Sequence, residues 1–101
     1  MTTPARALLL HSQDNVAIAL SDIGAGEPVI VLGSAEGDNV VTSEPVPFAH
    51  KVAVNDIPIG EPVRKYGAPI GFSAARIRRG DWVHSHNLES YFVARHKEAR
   101  P

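Results

Sequence analysis

The chain contains no cysteine. Disulfides and thiolate metal sites are therefore excluded, and nothing points to an oxidising compartment. It also lacks a long apolar run: near the N-terminus only Ala7-Leu8-Leu9-Leu10 is uninterrupted before His11 and Ser12. That run is too short for a secretory segment and far below a bilayer span, so a cytoplasmic location without a membrane partner is expected. Room for helices is scarce as well. Eight Gly and eight Pro punctuate 101 residues and leave little space for helices beyond about two or three turns. No nucleophile elbow, phosphate-binding loop or pair of catalytic carboxylates stands in the sequence. No basic stripe interleaves with aromatics, which argues against nucleic acid as a partner. A chain of this size and composition does not look like a complete enzyme.

What is present describes one globular domain. Its length suffices to bury a core without disulfides or a structural metal. Apolar residues at 44% and charged residues at 21% fit a folded, soluble chain rather than a disordered one. The net charge of −1 is unevenly placed. Residues 1–50 hold one basic and six acidic side chains, and residues 51–101 hold nine basic and five acidic ones. The plain reading is two solvated faces. The functional one is a cationic surface for an anionic ligand or an acidic partner.

A pattern Ile-x-x-Gly-acid-x-Val occurs three times, from Ile23 to Val29, Ile57 to Val63 and Ile77 to Val83. Each copy sets a Gly where positive φ is available, then an acid, then a β-branched residue that opens an extended run. The unequal spacing excludes a solenoid and predicts a small β domain that reuses one turn-into-strand device. Asp22 and Asp56 precede the first two copies and can cap the turns through backbone hydrogen bonds. Extended pieces are expected at 8–10, 16–20, 28–32, 39–42, 51–54, 63–67, 70–72 and 82–86. Residues 44–48 carry two prolines and read as an edge or connection. Residues 73–78 fit a helical turn or a strand, and 88–101 a short helix or a polar tail. The expectation is an all-β domain with eight or so strands and little helix.

His84-Ser85-His86 is the sharpest local signal. On a strand, residues two apart share a side, so both imidazoles would face one space and could grip a divalent cation or an anionic oxygen. His50-Lys51 opens a strand as a cationic pair suited to a carboxylate. His11, Asp14 and Asn15 fall in the first loop, where Asp and Asn are also ordinary turn residues. Tyr66, beside Gly67, reads as a packed aromatic whose phenol could reach a ligand. His96 lies among the charges of the tail and carries no assignment. The plain alternatives are ordinary surface residues for His84 and His86, a solvent-exposed strand end for His50-Lys51, turn residues for Asp14 and Asn15, and core packing for Tyr66.

Four segments bring a family into view: His11-Ser12-Gln13-Asp14-Asn15-Val16-Ala17, His50-Lys51-Val52-Ala53, Lys65-Tyr66-Gly67-Ala68-Pro69-Ile70-Gly71 and Gly80-Asp81-Trp82-Val83-His84-Ser85-His86-Asn87. In this order and spacing they resemble the N-terminal SAF domain of the altronate and galactarate dehydratases, and equally the small alpha subunit of sulfolactate sulfo-lyase. The likeness covers roughly residues 7–88. Ala49 departs from the family's usual Gly, and the stretch from Glu89 has no counterpart. The resemblance implies a β-clip fold over residues 1–88, followed by a polar tail over 89–101. It also implies a large dehydratase-like partner subunit, a small hydroxy-acid substrate, and a divalent metal (iron, manganese or magnesium) held mainly by that partner. Assembly with further copies of the same chain is compatible with it. Under this resemblance His84, His86, His50 and Lys51 are the catalytic candidates, and His11, Asp14, Asn15 and Tyr66 the substrate-binding ones. The resemblance assigns no metal ligand in this chain. A stand-alone binding module is the reading of a different class, because fold does not fix function.

Overall fold

The computed structural model describes residues 3–34 and 39–90. Among these described residues nine strands form: β1 (Ala5–Leu8), β2 (Val16–Ala19), β3 (Pro28–Leu32), β4 (Asn39–Val41), β5 (Lys51–Ala53), β6 (Pro62–Lys65), β7 (Ala68–Ser73), β8 (Trp82–Val83) and β9 (Leu88–Ser90). No helix occurs among the described residues, so the expected all-β class is the class observed. Six strands make one sheet in the order β4-β3-β1-β2-β5-β8, and three make a second in the order β6-β7-β9. The β1–β3 pair is parallel, and the other pairings are antiparallel.

The turn device is used four times. The three copies legible in the sequence are joined by Val46-Pro47-Phe48-Ala49-His50-Lys51-Val52, in which Ala stands for the Gly and His for the acid. The fourth residue of each copy has positive φ: Gly26 at 72°, Ala49 at 69°, Gly60 at 83° and Gly80 at 96°. Every copy also makes the same pair of backbone bonds with a neighbouring residue. Gly26 N–H donates to Thr42 at 2.7 Å, and Thr42 N–H donates to the Glu27 carbonyl at 3.0 Å. The corresponding sets are Ala49 and His50 with Ala19, Gly60 and Glu61 with Ser73, and Gly80 and Asp81 with Ala53.

The copies couple in twos. Ile23 bridges Val46, and Ile57 bridges Ile77. In each couple the aspartate ahead of the first copy accepts from the third residue of the second copy: Asp22 from Phe48 N–H and Asp56 from Arg79 N–H, both at 2.8 Å. The capping foreseen for Asp22 and Asp56 thus occurs across the couple instead of within one turn. The hydroxyls of Thr42 and Ser73 occupy matching places and donate to the carbonyls of Gly24 and Pro58. The domain is an internal pair of like halves.

Two apolar clusters lie on opposite sides of β5 and β8. Ala17, Val29, Val46 and Val52 belong to the first, and Trp82 packs against it. Val16, Ala53, Ile57, Val63, Ile77 and Val83 form the second, between the large sheet and the small one. Neighbouring residues of a strand point to opposite faces. Val52 and Trp82 therefore share one side, and Ala53 and Val83 the other.

Several expectations need correcting. The first strand is Ala5–Leu8, not 8–10, because it pairs in parallel with Val29–Leu32. Residues 73–78 contain neither a helix nor one strand: β7 ends at Ser73, and Ile77 makes its bridge four residues later. Leu88–Ser90 is a strand paired with β7, with Ser73 opposite Leu88. Most consequentially, the extended piece expected over 82–86 stops at Val83, and His84–Asn87 form a turn. The buried Asn87 side chain causes this, accepting from His84 N–H at 2.9 Å and donating to the Trp82 carbonyl at 2.8 Å. The remainder of the C-terminal stretch, with His96, lies outside the described residues.

Candidate functional site

His50 immediately precedes β5, and Trp82 opens β8, the strand paired with β5. This pairing joins residues 32 apart in sequence: Trp82 Nε1–H donates to His50 Nδ1 at 3.1 Å. His84 stacks on the Trp82 indole, with ring centroids 5.1 Å apart and planes 8° apart. His84 is also 4.9 Å from the His50 ring, and His86 meets Trp82 at 5.2 Å. Three of the four candidate histidines therefore gather around one indole. They do so although the strand argument for His84 and His86 fails, because the turn curls both rings back onto Trp82.

His84 and Lys51 also line an open cleft of about 360 Å³, together with Ser85, Leu88, Glu89 and Ser90. Its volume lies within the range of small-molecule sites. Lys51 is half-buried. Burial first, and then the nearby Lys65 ammonium, lower its pKa below the ordinary lysine value. An anion in the cleft would relieve both effects by offsetting the crowded positive charge.

The other candidates form a second group at the β6–β7 hairpin. Its two-residue turn, Tyr66-Gly67, has positive φ at both positions, 58° and 74°, as a type I′ turn requires. Tyrosine is poorly suited to that conformation. Buried Asp14 compensates by accepting Tyr66 N–H at 3.0 Å and Gly67 N–H at 2.7 Å. Asn15 donates to the Pro62 carbonyl and accepts from Arg64 N–H, at 2.9 and 2.8 Å. Asp14 and Asn15 thus clamp the hairpin with their polar atoms. The His11 ring lies over Gly67 so closely that a Cβ there would approach it to 2.9 Å. Tyr66 is not a packed aromatic. It is 68% exposed, because a turn tip has no facing layer, and Lys65 Nζ stands 5.3 Å from its ring.

Among the described residues no group of three or more His, Asp or Glu side chains is arranged to hold a metal ion. His50 Nδ1 already accepts from Trp82. These residues do not fit a resident metal centre.

Trp82 and Asn87 were missed as site residues by sequence reasoning. The available signal was their position: Trp82 lies inside a turn copy with histidines two and four residues on, and Asn87 closes the same segment.

The all-β domain thus presents an open cleft in which half-buried Lys51 meets the exposed His84 and the Glu89 carboxylate. The chain belongs to the altronate/galactarate dehydratase SAF-domain family, whose profile matches residues 5–91. It is similar to altronate dehydratase of Escherichia coli (strain K12), 42% identical over 81 residues, covering 80% of this chain and 16% of that protein. It is also similar to galactarate dehydratase (L-threo-forming) of the same organism, 35% identical over 82 residues, covering 81% of this chain and 15% of the relative. A third relative is (2R)-sulfolactate sulfo-lyase subunit alpha of Chromohalobacter salexigens, 40% identical over 45 residues, covering 45% of this chain and 48% of that subunit. The chain thus spans about one-sixth of the length of the dehydratases it matches. No helix among the described residues is long and apolar enough to cross a membrane.

Proposed function

We propose that this chain is the small subunit of a two-component hydro-lyase of the cytoplasm. The enzyme eliminates water from a sugar acid such as altronate or galactarate to give a 2-keto-3-deoxy acid. The observation that carries the reading is the cleft holding Lys51 and His84, backed by the His50–Trp82 pair, on a domain of a dehydratase family. A base removes the weakly acidic α-proton, the electron pair forms the C=C bond, and the β-hydroxyl takes a proton from an acid and departs as water. The enol then becomes the 2-keto acid. Charge collects on the substrate carboxylate as an ene-diolate, and prepositioned cationic and N–H donors are what such a site needs. Lys51 supplies charge. His84, which lines the cleft, His86, exposed against the Trp82 ring, and His50 supply N–H donors or the base. Tyr66, at the tip of the hairpin that Asp14 and Asn15 hold in place, and His11, whose ring lies over Gly67, contact the rest of the substrate. A divalent metal, held mainly by the large subunit, completes the site.

A second reading, with sulfite as the leaving group, is favoured by the relative that is itself named a subunit alpha. The test is co-purification with a large dehydratase-like chain, followed by a screen of hydroxy acids for 2-keto acid production. Turnover should appear with the pair and not with the 101-residue chain alone. Sulfite release from sulfolactate would select the second reading. An absence of any complex would select the non-catalytic binding module. Replacing His84 and His86 together with Ala should leave folding nearly intact and lower kcat of the complex by at least about 10²-fold. Full activity in that variant would return both residues to the plain surface.

A further inference from the structure

We propose that Trp82 is a positioning residue that holds His50 in the Nε2–H tautomer, so that His50 faces the site as a hydrogen-bond donor and not as the base. An indole N–H can only donate. Its bond to His50 Nδ1 at 3.1 Å therefore requires a lone pair on that nitrogen. A neutral imidazole that accepts at Nδ1 carries its proton on Nε2.

Two features keep the indole aimed. The β5–β8 register places Trp82 opposite Val52, and His84 lies flat on the ring, tilted by 8°. The turn repeat accounts for the freedom of His50. In the matching place of the other half, the Asp81 carboxylate accepts from Arg78 N–H at 2.8 Å and so closes its own turn. At His50 the backbone bonds of the turn are kept through Ala19, while the side chain turns to Trp82. The lone pair of His50 is thereby engaged within the domain. Within the proposed elimination, the α-proton must go to His84, His86 or a partner group, and His50 Nε2–H serves the developing oxyanion. The tautomer itself does not depend on that reading.

The experiment is 15N NMR of the full chain labelled at histidine nitrogens, with His50→Gln identifying the His50 signals. At neutral pH, His50 should show an unprotonated Nδ1 and a protonated Nε2. Trp82→Phe, which keeps the aromatic face but removes the donor, should shift both nitrogens toward a mixture of tautomers. A proton on Nδ1 in the unaltered chain overturns the proposal, as does an unchanged His50 spectrum in a folded Trp82→Phe chain. Should Trp82→Phe not fold, the spectrum of the unaltered chain decides alone. In the assembled enzyme, His50→Gln, whose amide N–H reaches near the Nε2 position, should keep at least about tenfold more kcat than His50→Asn, whose amide does not. Equal losses would overturn the donor role and leave the tautomer standing. A complex that turns over no hydroxy acid would instead count against the proposed function.

Discussion

The two halves of the domain differ most at the second turn of each couple. In one half the turn reads Ile77-Arg78-Arg79-Gly80-Asp81, in the other Val46-Pro47-Phe48-Ala49-His50. The backbone bonds are the same, from Gly80 and Asp81 to Ala53 and from Ala49 and His50 to Ala19. The side chains are used differently. Asp81 satisfies its own turn and accepts a hydroxyl bond from Ser43 at 2.5 Å, whereas His50 reaches across to Trp82. The backbone alone sustains the turn, so its fifth side chain is free to reach Trp82 in one half and to close the turn in the other. Of the four turns of this device, the one that ends in His50 is also the one with a non-glycine residue, Ala49, at positive φ, in keeping with the tendency of strain to collect at functional positions.

The comparison breaks most visibly at Gly80. A Cβ there would meet the Val41 carbonyl oxygen at 2.1 Å, with φ at 96°. Gly80→Ala should therefore lower stability by about 2–5 kcal/mol in denaturant titration, combining the left-handed backbone cost with overpacking. An Ala-like tolerance there would mean that the halves are interchangeable. Next in size, Asp22→Ala and Asp56→Ala should each cost about 1 kcal/mol, as loss of a carboxylate cap on one N–H does. Unequal costs would show the halves to be unlike where the structure makes them alike. Smaller and opposite in sign, Ala49→Gly should raise stability by up to about 1 kcal/mol, because it relieves an alanine at φ 69°. A lowered Tm in that variant would show that Ala49 is not strained.

The smallest effect concerns Lys51, whose folded pKa is depressed relative to the unfolded chain. The unfolded chain then binds the proton more tightly, so stability should rise as pH climbs from the folded pKa toward the ordinary lysine value. Below that window the penalty is fully present, and above it both states are neutral. Denaturation of the parent and of Lys51→Met across neutral to alkaline pH checks this. The variant should be the more stable at neutral pH, and the gap should close in alkali. Because Lys51 is only half-buried, solvent screening keeps the change small.

Much of the architecture could be read from one dimension because it is local. Alternating β-branched residues, frequent breakers and a Gly followed by an acid specify strands and turns through nearest-neighbour sterics. Pro28–Leu32 accordingly forms a strand with the bounds expected of it. The fourth turn escaped notice because its hydrogen bonds ask only for a backbone at positive φ, and Ala49-His50 leaves no Gly-acid signature. The His84–His86 pair was legible as residues, but its reason was misplaced: Asn87, through two side-chain bonds to the backbone, made a turn where alternation suggested a strand. Tyr66 looked like core and stands in solvent.

Composition and local pattern by themselves determined the all-β class, the absence of covalent cross-links and the turn device that the strands share. The tertiary structure alone decided which of these strands became neighbours. The β5–β8 pairing carried Trp82 to His50, and Asp14 to the hairpin tip is a contact of the same long-range kind. Such contacts follow from the burial of two separate apolar clusters, a property of the whole chain that no short window of residues contains.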